Sequence, residues 1–144
     1  MKDSIQKEHV FNHPIKMVWK AISEASEISK WFIKADFKAE PGYDYTFTHE
    51  DQSSGSCTTI IGRVLEVQPV NRLAYTWNVK GTNVDTTVIW QLEEVENGTR
   101  LKLEHNGISQ YPGETAVNMF NSFSGGWDNC ISELDKYLAP VTNV

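Results

Sequence analysis

Residues 120–138, FNSFSGGWDNCISELDKYL, decide the fold of this chain. Their large apolar side chains recur at steps of three or four. At about 100° per residue they share one face of a long amphipathic helix. Gly125 and Gly126 interrupt this apolar stripe, although each glycine inside a helix costs about 1 kcal/mol relative to alanine. We therefore predict a fixed helix whose glycines serve bending or close approach. The stripe consists of Phe120, Phe123, Trp127, Ile131, Leu134 and Leu138.

The two glycines differ in their position around this helix. On a helical wheel Gly126 lies on the apolar flank beside Met119, Cys130 and Tyr137, whereas Gly125 lies on the polar side. Gly126 is therefore the glycine at which a strand or a ligand is expected to approach the helix backbone. We expect Gly126→Leu to disturb the cavity or the fold more than Gly125→Leu does.

Two short helices are predicted near the start of the chain. The first has Pro14 in its first turn, where a missing N–H costs nothing, and Asn12 or His13 is the expected N-cap. Ser26 is the expected N-cap of the second helix, which ends near residues 31–32.

Segments with alternating apolar and polar residues predict the strands of a sheet. Short turns join successive strands, which is typical of an antiparallel sheet, and the long helix offers the cover that one apolar sheet face needs. We therefore predict an α+β fold with a sheet of about six or seven strands. Composition predicts a mobile loop at residues 50–56 and a hairpin turn at residues 97–98. The predicted strands are residues 5–11, 35–37, 43–47, 57–68, 72–78, 86–96 and 99–106.

The composition restricts the class of function. The 144 residues predict one domain, residues 1–144, and the net charge of −6 argues against nucleic acid or an anionic membrane as a partner. No apolar run approaches the roughly 20 residues of a membrane span, and the polar N-terminus lacks the apolar region of a signal peptide. We therefore expect a cytoplasmic protein.

Neither the cysteines nor the histidines have the spacing of a metal site. Cys57 and Cys130 are predicted to be free, buried thiols in a reducing compartment. His9, His13 and His49 are interpreted as surface or capping residues. The sequence also lacks a nucleophile elbow, a Walker loop and a dinucleotide-binding motif, so we assign no catalytic residue, metal or cofactor.

Short motifs that span nearly the whole chain carry a family resemblance. They are PIKMVWKAI (14–22), ISKWF (28–32), GRVLEVQP (62–69), RLAYTW (72–77), NGTRL (97–101), HNG (105–107) and Gly126 with Trp127 before Leu134. Together they resemble the START-like or birch-allergen-like helix-grip (SRPBCC) superfamily, and within it most closely the heat-shock-protein-90 ATPase activator homologue (AHSA-type) family. The resemblance implies a curved antiparallel sheet that grips the C-terminal helix, often with an apolar cavity between them. It also implies several activities, since members carry hydrophobic ligands, act as cyclases or stress proteins, or activate a chaperone.

Large rings are predicted to converge beneath the long helix. Alternation places Trp77, Trp90 and His105 on the same sheet face as their apolar neighbours. These rings form either ordinary core or an aromatic-lined pocket for an apolar molecule. A buried His105 bonds a hydroxyl or a backbone carbonyl, or it holds the polar head of a ligand. Trp31 and Phe32 either gate the cavity or staple the second helix to the sheet.

Arg63 is a second candidate for a polar anchor. Alternation places it on the same strand face as Ile61, Leu65 and Val67. An inward Arg63 would bind a ligand carboxylate, unless a bulge in this long strand reverses its direction. No motif places a carboxylate or a nucleophile beside His105 for general acid–base catalysis.

Three functions follow from these patterns. The first is a binding module, more a carrier than an enzyme, for a hydrophobic or lipid-like small molecule between the sheet and the helix. The second is a chaperone-associated or stress-response protein that uses the outer sheet face, and the third is a minor cyclase or hydrolase activity in the cavity. A monomer or a weak dimer is expected. The predicted cavity lining is Trp31, Phe32, Phe37, Phe47, Arg63, Tyr75, Trp77, Trp90, His105, Phe120, Phe123 and Trp127.

Overall fold

A computed structural model describes residues 4–31, 34–50, 57–80, 84–96 and 98–138. Phe32, Asn97 and residues 51–56, on which sequence predictions fall, lie outside this part of the chain, as do the side chains of His49 and Cys57. Within the described ranges, no helix is both long enough and apolar enough to cross a membrane.

The described residues form a seven-stranded sheet. Two short helices follow its first strand in the chain, and a long helix follows its last strand. The elements in chain order are β1 (Ser4–Phe11), α1 (Ile15–Ser23), α2 (Ala25–Trp31), β2 (Lys34–Asp36), β3 (Asp44–Glu50), β4 (Cys57–Gln68), β5 (Arg72–Val79), β6 (Thr86–Val95), β7 (Gly98–Asn106), a 3-10 turn (Ile108–Gln110) and α3 (Gly113–Leu138). The seven strands of the described chain pair antiparallel in the order β1-β7-β6-β5-β4-β3-β2. The predicted α+β helix-grip fold is confirmed.

Hydrophobic alternation builds the inner face of the sheet. In β6, Val88, Trp90 and Leu92 are buried, while Gln91 and Glu93 between them are exposed. Strands β5 and β7 also direct their large apolar residues to this face. The buried side chains of α3 join the same hydrophobic core, so the long helix covers the sheet as its apolar stripe predicts.

The N-caps of the two short helices differ from the prediction. Pro14 itself is the N-cap of α1, with an extended ψ of 147°, rather than Asn12 or His13. The Pro14 carbonyl accepts two amides of the first turn, at 3.0 and 3.2 Å, so the helix starts without a side-chain cap. Ser26 lies inside α2, because the carbonyl of the extended residue Glu24 accepts the first amides of that helix.

A bulge in β4 decides the direction of Arg63. The pairing with β5 shifts between Val64 and Glu66, so the residues before and after the bulge follow opposite alternation. Ile60 and Val64 are buried on the inner face, whereas the Arg63 side chain is 62% exposed and pairs with Asp44 at 2.9 Å between Nε and Oδ1. The expectation of an inward Arg63 is wrong, and this arginine lies on the outer face.

The long helix is fastened along one side of the sheet. Its closest backbone neighbours are β1, the 3-10 turn and α2. The Lys7 ammonium on β1 contacts both Ser124 and Asp128 of α3 at 3.0 Å. At the other end of the helix, the Tyr137 hydroxyl donates to the Glu27 carboxylate of α2. The helix is therefore held over β1 and α2, and it stands away from β4 and β5.

Candidate ligand-binding site

A pocket of about 340 Å³ lies between α3 and the strands β4 and β5. Four elements contribute to its wall, because Trp31 ends α2 at the same place. Most of the wall is apolar, while Thr58, Ser122 and Asn129 are exposed to solvent and mark the mouth. The described lining residues are Trp31, Thr58, Ile60, Trp77, Val79, Ser122, Phe123, Gly126, Trp127, Asn129, Cys130 and Glu133.

The sheet side of the pocket follows from strand register. Ile60 on β4 and Val79 on β5 are direct cross-strand partners. Trp77 lies two residues before Val79 and therefore shares its face of β5. Residues from two neighbouring strands thus form one continuous apolar wall.

The helix side of the pocket is one flank of α3, and Gly126 is part of it. A Cβ atom built at Gly126 would meet no atom within 4 Å, so no strand approaches the helix there, contrary to one of the two expectations. The same is true at Gly125, which does not line the pocket. Gly126 therefore widens the pocket, while nothing in the described structure explains Gly125.

Three tryptophans of the wall differ in the partners of their indole N–H groups. Trp31 donates to the carbonyl of Ala21 at 2.8 Å, and Trp127 donates to Nδ1 of His105 at 2.9 Å. The Trp77 side chain is only 4% exposed, and its Nε1 has no hydrogen-bond acceptor in the described part of the chain. Its ring packs against that of Trp127, with 5.1 Å between centroids.

His105 supports the pocket wall from behind. Its side chain is fully buried, and Nε2 lies 2.6 Å from Oγ1 of Thr86. Burial lowers the pKa of His105 to about 3, so the ring is neutral at physiological pH. Trp127 and Thr86 engage both ring nitrogens, which leaves neither of them for the head group of a ligand.

Five other predicted lining residues belong to the core or pack on it, and none of them lines this pocket. Phe37, Phe47 and Tyr75 pack with Tyr45 in a cluster of rings, for example with 5.0 Å between the Tyr45 and Tyr75 centroids. Trp90 is buried and donates its N–H to the Tyr75 hydroxyl at 2.8 Å. These rings fill the space beneath the helices with one another. The five residues are Phe37, Phe47, Tyr75, Trp90 and Phe120.

The remaining predicted lining residues either line the pocket or lie outside the described part of the chain. Trp31, Trp77, Phe123 and Trp127 line the pocket, while Phe32 lies outside the described residues. The lining predicted from the sequence omitted the cross-strand pair Ile60 and Val79 and much of the α3 flank. A helical wheel carried the signal for that flank, because its residues follow one another at steps of three and four. The missed lining residues are Thr58, Ile60, Val79, Ser122, Asn129, Cys130 and Glu133, whereas Gly126 was expected as the place where a strand or a ligand approaches the helix.

The described wall contains one cysteine, Cys130, and one acidic residue, Glu133. Burial raises the pKa of the Cys130 thiol, which therefore remains protonated and weakly nucleophilic at physiological pH. The described lining contains no histidine beside a carboxylate. Among the described side chains, no group of histidines, cysteines and carboxylates is arranged to hold a metal ion.

Comparisons with known proteins agree with this architecture. The sequence matches the family described as "Activator of Hsp90 ATPase homolog 1-like protein" over residues 12–139. Among solved structures, MLL2253 from Mesorhizobium loti is 23% identical with a TM-score of 0.82, and the match covers 98% of this chain and 99% of that chain. NE0264 from Nitrosomonas europaea is 20% identical with a TM-score of 0.81, over 99% and 97% of the two chains. CalU16 from Micromonospora echinospora is 24% identical with a TM-score of 0.74, over 95% and 76%. No curated protein sequence matches the chain.

Proposed function

Since this chain belongs to the Activator of Hsp90 ATPase homolog 1-like family, we propose that it binds a small apolar molecule in the pocket between α3 and strands β4 and β5. In this proposal residues 1–144 act as one cytoplasmic helix-grip domain, and binding rather than catalysis is its activity. The observation that carries the proposal is the apolar pocket under the long helix, with three tryptophans in its wall.

The size and lining of the pocket support this function. Ligand pockets of proteins range from about 300 to 1,000 Å³ and are mostly apolar and aromatic, with a few polar groups. The volume of about 340 Å³ lies at the lower end of that range and suits a molecule of one or two rings. The rings of Trp31, Trp77 and Trp127 are already held in place by the core, so a ligand that contacts them orders few side chains.

The indole N–H signals of the protein test the proposal directly. A panel of apolar molecules is added to ¹⁵N-labelled protein, and the signals of Trp31, Trp77 and Trp127 are followed by NMR. We expect at least one molecule to shift these three signals in a saturable way. Trp90 and Trp19 are internal controls, because neither lines the pocket. Pocket indoles that stay unmoved across the panel, or five indoles that shift alike, would contradict the proposal.

A second candidate function is interaction with a chaperone through the outer sheet face. Ile61 and Leu65 are 40% and 50% exposed there, on either side of Arg63, and the family description supports the idea. The test measures the ATPase rate of purified Hsp90 with and without this protein. Stimulation that is lost in the double variant Ile61→Ser with Leu65→Ser supports the interaction. Val117→Ser is the control, since Val117 is equally exposed but lies on α3. An ATPase rate that wild-type protein leaves unchanged argues against it.

A further inference from the structure

The flank of α3 that borders the pocket carries two rows of side chains. Residues three or four apart follow one line along a helix, so each row runs along the helix axis and the two rows lie side by side. One row is apolar and buried or half-buried, whereas the other is polar and more exposed. The first therefore forms an inner row and the second an outer row at the rim of the pocket. The inner row is Phe123, Trp127 and Cys130, and the outer row is Ser122, Gly126, Asn129 and Glu133.

The deep part of the pocket is closed to polar ligand groups. The indole N–H groups of Trp31 and Trp127 already donate to protein acceptors. Nε1 of Trp77 is buried away from solvent, and Cys130 contributes only a protonated thiol, which is a weak hydrogen-bonding group. A polar head placed among these described residues would lose its hydration without compensation. The head of any ligand is therefore expected at the rim, beside the outer row.

The rim carries one sign of charge. Glu133 is the one residue of the described lining that is charged at neutral pH, and no lysine or arginine is among those residues. The Glu133 side chain is 46% exposed, and its carboxylate lies 3.7 Å from the ammonium of Lys136, whose side chain is 71% exposed. Such an exposed pair contributes little to stability, because both groups stay hydrated, so a ligand cation can replace Lys136 at low cost. The net charge of −6 favours cations over anions in the same direction.

We propose that the pocket takes a small apolar amine, whose ring system packs against the inner row and whose ammonium group pairs with the Glu133 carboxylate at the rim. The inference rests on the proposed binding function and names the ligand chemistry of the same pocket. Glu133 is then the residue that selects the charge of the ligand. An ammonium head is preferred to a neutral hydroxyl head, and a carboxylate head is disfavoured.

Three probes of nearly equal size and shape test this order of preference. They are 2-naphthylmethylamine, 2-naphthylmethanol and 2-naphthoate, which are cationic, neutral and anionic at neutral pH. In wild-type protein at low salt, the amine should bind about two- to five-fold more tightly than the alcohol, as expected for a partly exposed ion pair, and 2-naphthoate should bind more weakly than the alcohol. The preference for the amine should decrease in 0.5 M salt, because exposed charges are then screened.

Two glutamine variants show whether Glu133 causes the preference. In Glu133→Gln the ratio of amine to alcohol affinity should fall to about one, while the affinity for the alcohol stays unchanged. Glu114→Gln is the matched control, because it removes an exposed carboxylate of α3 that does not line the pocket, and it should keep the wild-type ratio. Both substitutions replace a solvent-exposed carboxylate by an amide of the same shape, so both variants are expected to fold.

The outcomes separate the inference from the binding function. If the alcohol binds but the amine binds no more tightly, if 2-naphthoate binds best, or if the ratio is unchanged in Glu133→Gln, the inference is overturned while the binding function stands. If none of the three probes binds, the inference also fails. The proposed function fails with it only if the whole panel of apolar molecules leaves the pocket indoles unmoved.

Discussion

Trp127 on α3 donates its indole N–H to Nδ1 of His105 on β7, with 2.9 Å between the two nitrogens. An indole is only a donor, so Nδ1 is the unprotonated nitrogen and the neutral ring carries its proton on Nε2. That proton faces Oγ1 of Thr86, whose hydroxyl donates in turn to the carbonyl of Trp77 at 3.0 Å. One chain of hydrogen bonds therefore ties the helix wall of the pocket to its sheet wall.

This chain makes the stability of the fold depend on pH. Protonation at Nδ1 of His105 would place its N–H against the indole N–H of Trp127, so that two donors would face each other. Burial lowers the pKa of His105 from 6.5 to about 3. Between pH 6.5 and about 3, His105 is protonated in the unfolded chain but neutral in the folded chain. The contribution is therefore fully present above pH 6.5 and is lost as the pH falls toward 3, by up to about 1.4 kcal/mol per pH unit. Urea unfolding across this range measures the loss.

The variant His105→Gln isolates the titration of this residue from that of the carboxylates. A glutamine amide offers one acceptor and one donor without gaining a proton. We expect the unfolding free energy of the variant to fall less steeply with decreasing pH than that of the wild type. Parallel curves for the two proteins would show that His105 does not titrate on unfolding.

Leucine substitutions at Gly125 and Gly126 of α3 distinguish the pocket from the rest of the helix. Both positions have space for a side chain, but Gly126 lines the pocket and Gly125 does not. Gly126→Leu should fill part of the pocket and weaken the binding of any probe found there by about ten-fold or more, since overpacking costs about 1–3 kcal/mol. Gly125→Leu should leave the affinity unchanged. Equal effects on probe binding would place the ligand elsewhere.

Gly125 also predicts a gain in stability. It lies in the interior of α3, it is exposed, and a Cβ there would meet no atom within 4 Å. Gly125→Ala should therefore raise the free energy of unfolding by about 1 kcal/mol, because alanine is the better helix former. Chemical unfolding measures the change. A loss of stability would mean that the helix needs a flexible point at this position.

The sequence predicted the elements better than it predicted the site. Periodicity of 3.6 and of 2 is a local property, so the stripe of α3 and the alternation of β5 to β7 identify their own buried faces. The direction of Arg63 depends on a bulge between Val64 and Glu66. The alternation of residues within a single strand does not show where such a bulge lies. The pocket depends on where α3 stands away from the sheet, and that separation follows from the packing of α3 beside β1, the 3-10 turn and α2, which are distant in the sequence. For this reason the ring of Phe47 and that of Trp77 were equivalent in the sequence, although only Trp77 lines the pocket.

Gly62 on β4 is a position where the close approach of two strands requires glycine. A Cβ atom there would lie 2.1 Å from the carbonyl oxygen of Thr76 and 2.7 Å from the ring of Tyr45. Neither neighbour is free to move, because the buried Tyr45 donates its hydroxyl to that same carbonyl at 2.6 Å. Gly62→Ala should therefore lower the free energy of unfolding by roughly 1–3 kcal/mol, as overpacking does. Gly125→Ala is the matched control, since the same substitution in open space should stabilise the protein. If Gly62→Ala unfolds at the wild-type urea concentration, β4 and β5 tolerate a wider separation than the structure shows.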